Sequence, residues 1–544
     1  MYPSVAAVPQ HWAELRKPVE RVAALQLASL TTLHLLNTTP HFYKFFIVHC
    51  SFAPIGSRPM SRLLNILVSF TLILGPLCVG SYFGEWRWPL IYAATTTGLL
   101  ALVFARPKKA GGRVSFSVLL TLLLLIAAQG YWMHYNTGTV FIENEIIGTV
   151  HYFWQFLPLE SQPYPEYVGG VDQAEGWDRL SYILPCLLIV LAVRQMVASR
   201  VLSLRVLCGT IFWTGVAVAT LGLVQRYTGA EGIYWSDDLI LKNRPLFFGP
   251  YRSPGIATSY MNLGLALGLS HLLATTRRLS RRKDAKPTQP LFICIGLIIL
   301  FTGAMTAGSK AGTVFAVSTL ILWFVMNWRA VFSMLRNATS LLPSGSPHER
   351  NIIFSAIAAA GIFGVLSLGA TVTERWEKSI DNDHQTLQVR NIANSVQLKM
   401  IDQPEWGWAG YGPGSFFPLF PFHVSQEEGK ALNSKWVYSH NDHLQTLVEW
   451  GWAGTGCFVL LIGGGPTILL TELINEALSK KRRHRTGNLF YFRGIAIAMF
   501  ICLLHATVDF PFQIESIAIT FAALLGAAWA GKSLRSNEEL IINN

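Results

Sequence analysis

Apolar runs of about 17–21 residues, the length needed to cross a bilayer, recur along this chain and leave few folds open to it. Twelve stand out: Leu63–Gly80, Pro89–Ala105, Val114–Trp132, Leu180–Val193, Val206–Leu223, Ile256–Leu273, Leu291–Ala307, Ala311–Trp328, Ile352–Ala370, Ala453–Leu473, Gly494–Phe510 and Ile514–Ala530. The fourth is short and ends near Arg194; the seventh and eighth form a tight hairpin around AGSKAG. A transmembrane barrel would instead show alternating segments of about ten residues. Composition agrees: 51% of the 544 residues are hydrophobic and 14% are charged, where a soluble domain carries about 25% charged residues. The expected fold class is an all-α integral membrane protein of about twelve transmembrane helices. No internal repeat is visible, so an inverted-repeat transporter gains no support.

The net charge of +12 would favour nucleic acid in a soluble protein. In short loops between apolar runs, basic residues are topology signals instead, and no nucleic-acid partner is expected. After runs 2, 4, 6, 8 and 10 come ARPKKAGGR, SRVLSLR, RRLSRRKDAK, WRAVFSMLR and KKRRHR. The segment Met133–Asp178 has no Lys or Arg, but carries Glu143, Glu145, Glu160, Glu166, Asp172, Glu175 and Asp178. The positive-inside rule therefore puts both termini in the cytoplasm and turns the odd-to-even connections outward, including a large loop, 371–452, between runs 9 and 10. Residues 1–60 show no signal-peptide pattern. They are expected to be a poorly ordered cytoplasmic segment or an over-long start ahead of MSRLLNILV at Met60. Residues 61–533 form the polytopic membrane domain, and 534–544 a cytoplasmic tail. The seven cysteines have neither disulfide nor zinc spacing and are expected to pack as small apolar residues.

Loops beyond about 12–15 residues usually carry function or disorder, and 371–452 does not read as disordered. HQTLQVRNIANSVQLKMIDQP follows Asp381 and Asp383, has no internal Gly or Pro, and stops at Pro404. That pattern predicts a helix, with Leu387, Ile392, Val396 and Met400 as an apolar flank resting on bilayer or bundle. PEWGWAGYGPGSFFPLF is turn-rich and aromatic, suited to an interfacial lining. In WVYSHNDHLQTLVEWGWAGTG, Ser439 followed three residues later by Asp442 resembles a capping box. A helix is expected to start at Ser439, with His440 in its first turn and His440, Leu444, Leu447, Gly451 and Gly454 on one face. Glycine there admits a neighbouring helix or a lipid chain. The imidazole would sit at the positive end of the helix dipole, where a neutral base or a bound anion is favoured. A histidine that merely caps an interfacial loop fits the same residues.

His440-Asn441, nine residues, Gly451, two residues, Gly454 resembles the signature of the O-antigen ligase and polymerase superfamily of bacterial inner membranes. VRNIANSVQLKMIDQPEWGWAGYGPGSF resembles the family's Arg, helix, Pro, Gly-rich block, and HATVDFPFQI its usual ending. TAGSKAG is similar to its Ser-Arg-Gly segment, with Lys310 for the arginine. The likeness spans roughly Leu204 to Gly531.

The resemblance implies transfer of a glycan from undecaprenyl diphosphate to an acceptor hydroxyl on the periplasmic face, in lipopolysaccharide or exopolysaccharide assembly. The acceptor would be lipid A core or another glycan, with membrane lipids around both. A leaving diphosphate develops negative charge that cations stabilise, and a base near the acceptor hydroxyl aids attack. Carried over by motif, His440 is the base and Arg390 the first diphosphate ligand, since Arg grips phosphate with a bidentate fork. No metal or other cofactor is needed if arginines do the charge work. For a second cation, KNRPLFFGPYRSPGIATSY offers Arg252, with Arg244 in reserve; Lys310 is a third cation or an interfacial anchor. Asn441 follows the base. His505 and Asp509, four apart, share a helix face and either bind acceptor or steady the helix end. His443 and Glu449 are weaker choices. A polymerase or a protein O-oligosaccharyltransferase would differ only in acceptor. A small-anion transporter would gather its ionisable groups at mid-membrane on broken helices, whereas here they gather in outer loops. A structural assembly subunit would tolerate loss of His440.

Overall fold

The computed structural model describes residues 59–78, 80, 84–105, 113–145, 152–159, 162–236, 247–279, 288–336, 388–404, 406–432, 436–478 and 488–531. All belong to one unit, Arg58–Asn544; the other, Met1–Ser57, lies outside them. So do the expected ninth span Ile352–Ala370, Arg244, the first part of the large loop and the tail 534–544.

The other eleven apolar runs all fall on helices. These are α1 (Pro59–Leu77), α2 (Trp88–Phe104), α3 (Arg113–Tyr135), α4 (Gln173–Ala198), α5 (Leu204–Tyr227), α6 (Pro254–Leu279), α7 (Thr288–Thr306), α8 (Lys310–Arg336), α12 (Asp442–Leu478), α13 (Asn488–His505) and α14 (Glu515–Trp529). The large loop adds α9 (388–401), α10 (Phe416–His423) and α11 (Gln426–Leu432). Among the described residues, nine helices are long and apolar enough to span a membrane; α2 and α14 are shorter, at 17 and 15 residues. Helix is the expected solution in lipid, because every backbone polar group finds its partner within its own segment. In the described bundle α6 is central, flanked by α5, α7, α8 and α13, while α4 packs between α2 and α14.

The helix ends that sequence assigns to the outer face do meet at one end of the bundle. Arg87, at the start of α2, bonds the Asp178 carboxylate and its carbonyl (2.8 Å) at the start of α4, and lies 3.0 Å from Glu515 at the start of α14. Arg226 at the end of α5 donates to the Thr306 carbonyl at the end of α7. The backbone N–H of Asp442, at the start of α12, donates to the Ala506 carbonyl just past α13 (2.9 Å).

Three features depart from the sequence reading. First, the acidic connection after α3 contains an antiparallel hairpin, β1 (Thr139–Glu145) with β2 (Tyr152–Pro158), pairing Thr139 with Pro158 and Glu145 with Tyr152. Its β-branched and aromatic residues suit a strand, a signal that the acidic charge of the segment does not carry. Second, the described flank of α9 (Leu387 lies outside the described residues) packs mainly on the rest of the large loop and also on Val448 of α12. Ala393, Val396 and Met400 are buried with Trp406, Tyr411, Phe416, Phe420, Leu432 and Val448 in a second core, which the large loop builds for itself. Trp406, Tyr411, Phe416 and Phe420 of the aromatic stretch after Pro404 fill that core, while Trp408 stays 69% exposed. Third, α12 starts at Asp442, eleven residues ahead of the expected run, and is broken at Gly451 (φ 60°, ψ −169°).

Candidate functional site

The helix expected from Ser439 begins later, and His440 is outside it. Asn441 is the cap: its Oδ1 accepts from the Leu444 N–H (3.2 Å), the bond that satisfies an orphan donor of the first turn. Ser439 Oγ accepts from the Asn441 N–H (2.9 Å) and donates to the Asn441 carbonyl (2.6 Å). Asp442 does not close a capping box. Its two carboxylate oxygens accept from Phe512 N–H (2.8 Å) and Gln513 Nε2 (3.0 Å), which ties the start of α12 to the Pro511–Gln513 turn between α13 and α14. His440 is left in a left-handed backbone, φ 55°, so it shares no helical stripe with Leu444 and Gly451.

That conformation aims the imidazole at Asp509. Nδ1 of His440 lies 3.3 Å from Asp509 Oδ1. The ring sits edge-to-face against Phe510 (4.8 Å) and Trp436 (5.4 Å), and its side chain keeps 35% of its exposure. Asp509 is buried between two imidazoles, with His505 Nε2 3.9 Å from its second oxygen. His505 is fully buried and packs on Phe315 of α8 (5.1 Å). Asp509 also lies against the N-terminus of α6, so closely that a Cβ on Gly255 would fall 2.0 Å from its Oδ2; only glycine admits this approach, and the positive dipole end of α6 favours the anion. Burial pushes the Asp509 carboxyl up. The contact to His440 and the charges of His440, His505 and Arg390 outweigh this and hold it below the usual carboxylate value.

Arg390, on α9, is close enough to act electrostatically on both Asp509 and His505. Arg252 is exposed three residues before Gly255, a reach of about 11 Å at most. Lys310 opens α8, whose first turn is capped by Ser309 (Gly312 N–H to Oγ, 3.0 Å). That turn packs on α6: Asn262 Nδ2 donates to the Gly312 carbonyl (3.1 Å), and a Cβ on Gly312 would meet Thr258. His440, Asn441, His505, Asp509 and Arg390 thus come together, and Arg252 and Lys310 lie on helix starts bordering them. His443 is turned to the Leu503 carbonyl (3.1 Å). Glu449 is buried and accepts from Gln445 (2.9 Å).

The signature glycines have a backbone reason. At the break in α12, residues 408–412 take the place of the missing helical partners. Tyr411 N–H donates to Val448 carbonyl (3.1 Å), Gly412 N–H to Glu449 carbonyl (2.8 Å), and Ala453 N–H to Trp408 carbonyl (3.2 Å). A Cβ on Gly451 would fall 2.3 Å from the Trp408 carbonyl oxygen, and one on Gly454 would strike Gln129 of α3.

Among the described residues no group of three or more His, Cys, Asp or Glu side chains is placed to hold a metal ion. The chemistry on hand is an imidazole whose Nδ1 faces a carboxylate oxygen at 3.3 Å, which leaves Nε2 on the far side to take a proton, beside guanidinium groups and helix N-termini suited to phosphate. Arg179, which the sequence reading passed over, lies buried behind this shelf (Arg179 Nη1 to Gln513 Oε1, 3.0 Å); nothing in its sequence neighbourhood marks it.

No curated protein matches the chain. The family model for O-antigen ligase matches residues 295–459, a stretch that runs from α7 into α12 and takes in Lys310, Arg390, His440 and the Gly451 break. The chain, a multi-pass membrane protein by its helices, is thus similar over this stretch to the O-antigen ligase family, which supports a role in membrane glycan transfer during polysaccharide assembly.

Proposed function

We propose that the protein is an O-antigen ligase-like glycosyltransferase of the bacterial inner membrane, moving a glycan from undecaprenyl diphosphate to an acceptor hydroxyl on the outer face. The observation that carries this reading is the 3.3 Å approach of His440 Nδ1 to Asp509 Oδ1, with Arg390 acting on the same carboxylate. Asp509 orients the ring and stabilises the imidazolium that forms. Nε2 of His440 takes the acceptor hydroxyl proton as the oxygen attacks the anomeric carbon. The bond from that carbon to the diphosphate breaks, and the diphosphate leaves with the electron pair. Arg390, Arg252 and Lys310 take up the developing charge, and Arg390 grips the phosphates in a bidentate fork. Arginines need not lose a proton to do this, so the charge work is complete without further groups.

Complementation of a strain lacking its surface glycan tests the reading. His440→Ala and Arg390→Ala should insert into the membrane and restore no glycan; full restoration by both would falsify the roles. Gel profiles identify the acceptor. Loss of a ligase leaves lipid-linked polymer and bare core, whereas loss of a polymerase leaves core bearing a single repeat.

A further inference from the structure

We infer that Arg179 is a positioning residue for His440, holding the two chain segments that carry the imidazole and its carboxylate in register; the inference rests on the glycan-transfer reading above. His440 and Asp509 lie on 436–442 and on the stretch that leads into Pro511–Gln513. Neither stretch is a regular helix around the reacting groups; 436–441 precedes α12, and Asp509 holds to the end of α13 by one backbone bond, its N–H to the His505 carbonyl (3.0 Å). Arg179, from α4, reaches both. Its Nη1 donates to Gln513 Oε1 (3.0 Å), and its guanidinium sits 5.1 Å over the Tyr438 ring. Gln513 passes the link on through Nε2 to Asp442 Oδ1 (3.0 Å). Tyr438 stacks on Phe510 (4.6 Å), and Phe510 meets His440 edge-on (4.8 Å). A shift of Tyr438 or Gln513 therefore moves the base and its partner together. The stem of Arg179 also packs on the Gly-rich loop, where a Cβ at Gly414 would lie 3.0 Å from its Cγ. A planar guanidinium can bond and stack at once, which an ammonium cannot. Burial of a charge at this depth is costly unless paired; here Glu175 and Glu449 lie within its field.

The test uses full-length protein in lipid with a lipid-linked glycan donor and acceptor, comparing Arg179→Met, Arg179→Lys and Gln513→Leu with wild type per mole of folded enzyme. A misplacement of about 1 Å is worth roughly 10²-fold in rate. Arg179→Met is expected to lower kcat about 10- to 100-fold with donor KM within about twofold, and Arg179→Lys to recover part of it. Gln513→Leu should act in the same direction, and the double change should cost no more than the worse single one, because both cut one chain of contacts. Gln513→Leu carries the test should Arg179→Met not fold. Wild-type kcat in folded Gln513→Leu or Arg179→Met, or a rise in KM alone, overturns the inference. His440→Ala run alongside separates the two readings. Transfer that survives it overturns the base itself, whereas its loss beside an unchanged Gln513→Leu overturns only the role of Arg179.

Discussion

His440 holds a left-handed backbone, φ 55°, a conformation that costs a side-chain-bearing residue about 1–3 kcal/mol and persists where its surroundings enforce it. Asparagine tolerates that region better than most residues. His440→Asn should therefore melt within about 1 kcal/mol of wild type, yet lose about 10²–10⁴ in transfer rate, the usual worth of a positioned base. Thermal unfolding in detergent beside a transfer assay reads both; an active His440→Asn would remove the base from the mechanism. Asp509 gives a second, pH-resolved expectation. Its folded pKa lies below the ordinary 3.8, so its stabilising contribution is complete above the unfolded value and lost only as pH falls through the folded one. The destabilisation by Asp509→Asn should accordingly not shrink between about pH 8 and about pH 5, as melting curves at both values would show; shrinkage would mean the carboxylate is not held ionised. His440 was legible in the sequence through its spacing to Gly451 and Gly454. The part played by Asp509 was not, because its partner lies far along the chain and a turn, rather than any periodicity, brings the two together.

Helices were the most legible elements, since a span announces itself by length and apolarity alone. The break in α12 was hidden for the same reason: the apolar run starts after Gly451, so the amphipathic lead-in 442–450 read as a separate piece. The hairpin β1–β2 and the second core were hidden too, because their residues fill contacts between loop segments that no single-segment pattern reveals. Gly451 combines φ 60° with ψ −169°, a region open essentially to glycine alone. Gly451→Ala thus suffers both backbone strain and the clash with the Trp408 carbonyl. It should cost several kcal/mol, in the range of about 3 or more, seen as loss of folded protein in gel filtration or protease protection. Gly463→Ala, farther along α12 where a Cβ meets nothing within 4 Å, should be neutral or stabilising by up to about 1 kcal/mol. Equal tolerance at both positions would show that the loop and the break do not clamp one another.

At the scale of the molecule, the charged mouth has chemical sense only on one side of the membrane. Arg87, Asp178, Glu515, Asp509, His440 and Arg390 gather at the same end of the bundle, and in the sequence the basic stretches follow the opposite ends of the helices. On the proposed reading the site faces away from the cytoplasm, where no nucleotide sugar or ATP is at hand; a donor would then arrive already activated on a lipid, and cations would take up the leaving diphosphate. The positive-inside rule assigns the His440 end to that side. Single cysteines in an otherwise cysteine-free chain test the assignment. Glu427→Cys in α11 and Ser203→Cys between α4 and α5 both replace exposed residues. In intact spheroplasts a membrane-impermeant maleimide should label the first and reach the second only after permeabilisation. The reverse pattern would set His440 and Arg390 in the cytoplasm, where activated sugars are abundant, and the reason for a lipid diphosphate donor would fall with it.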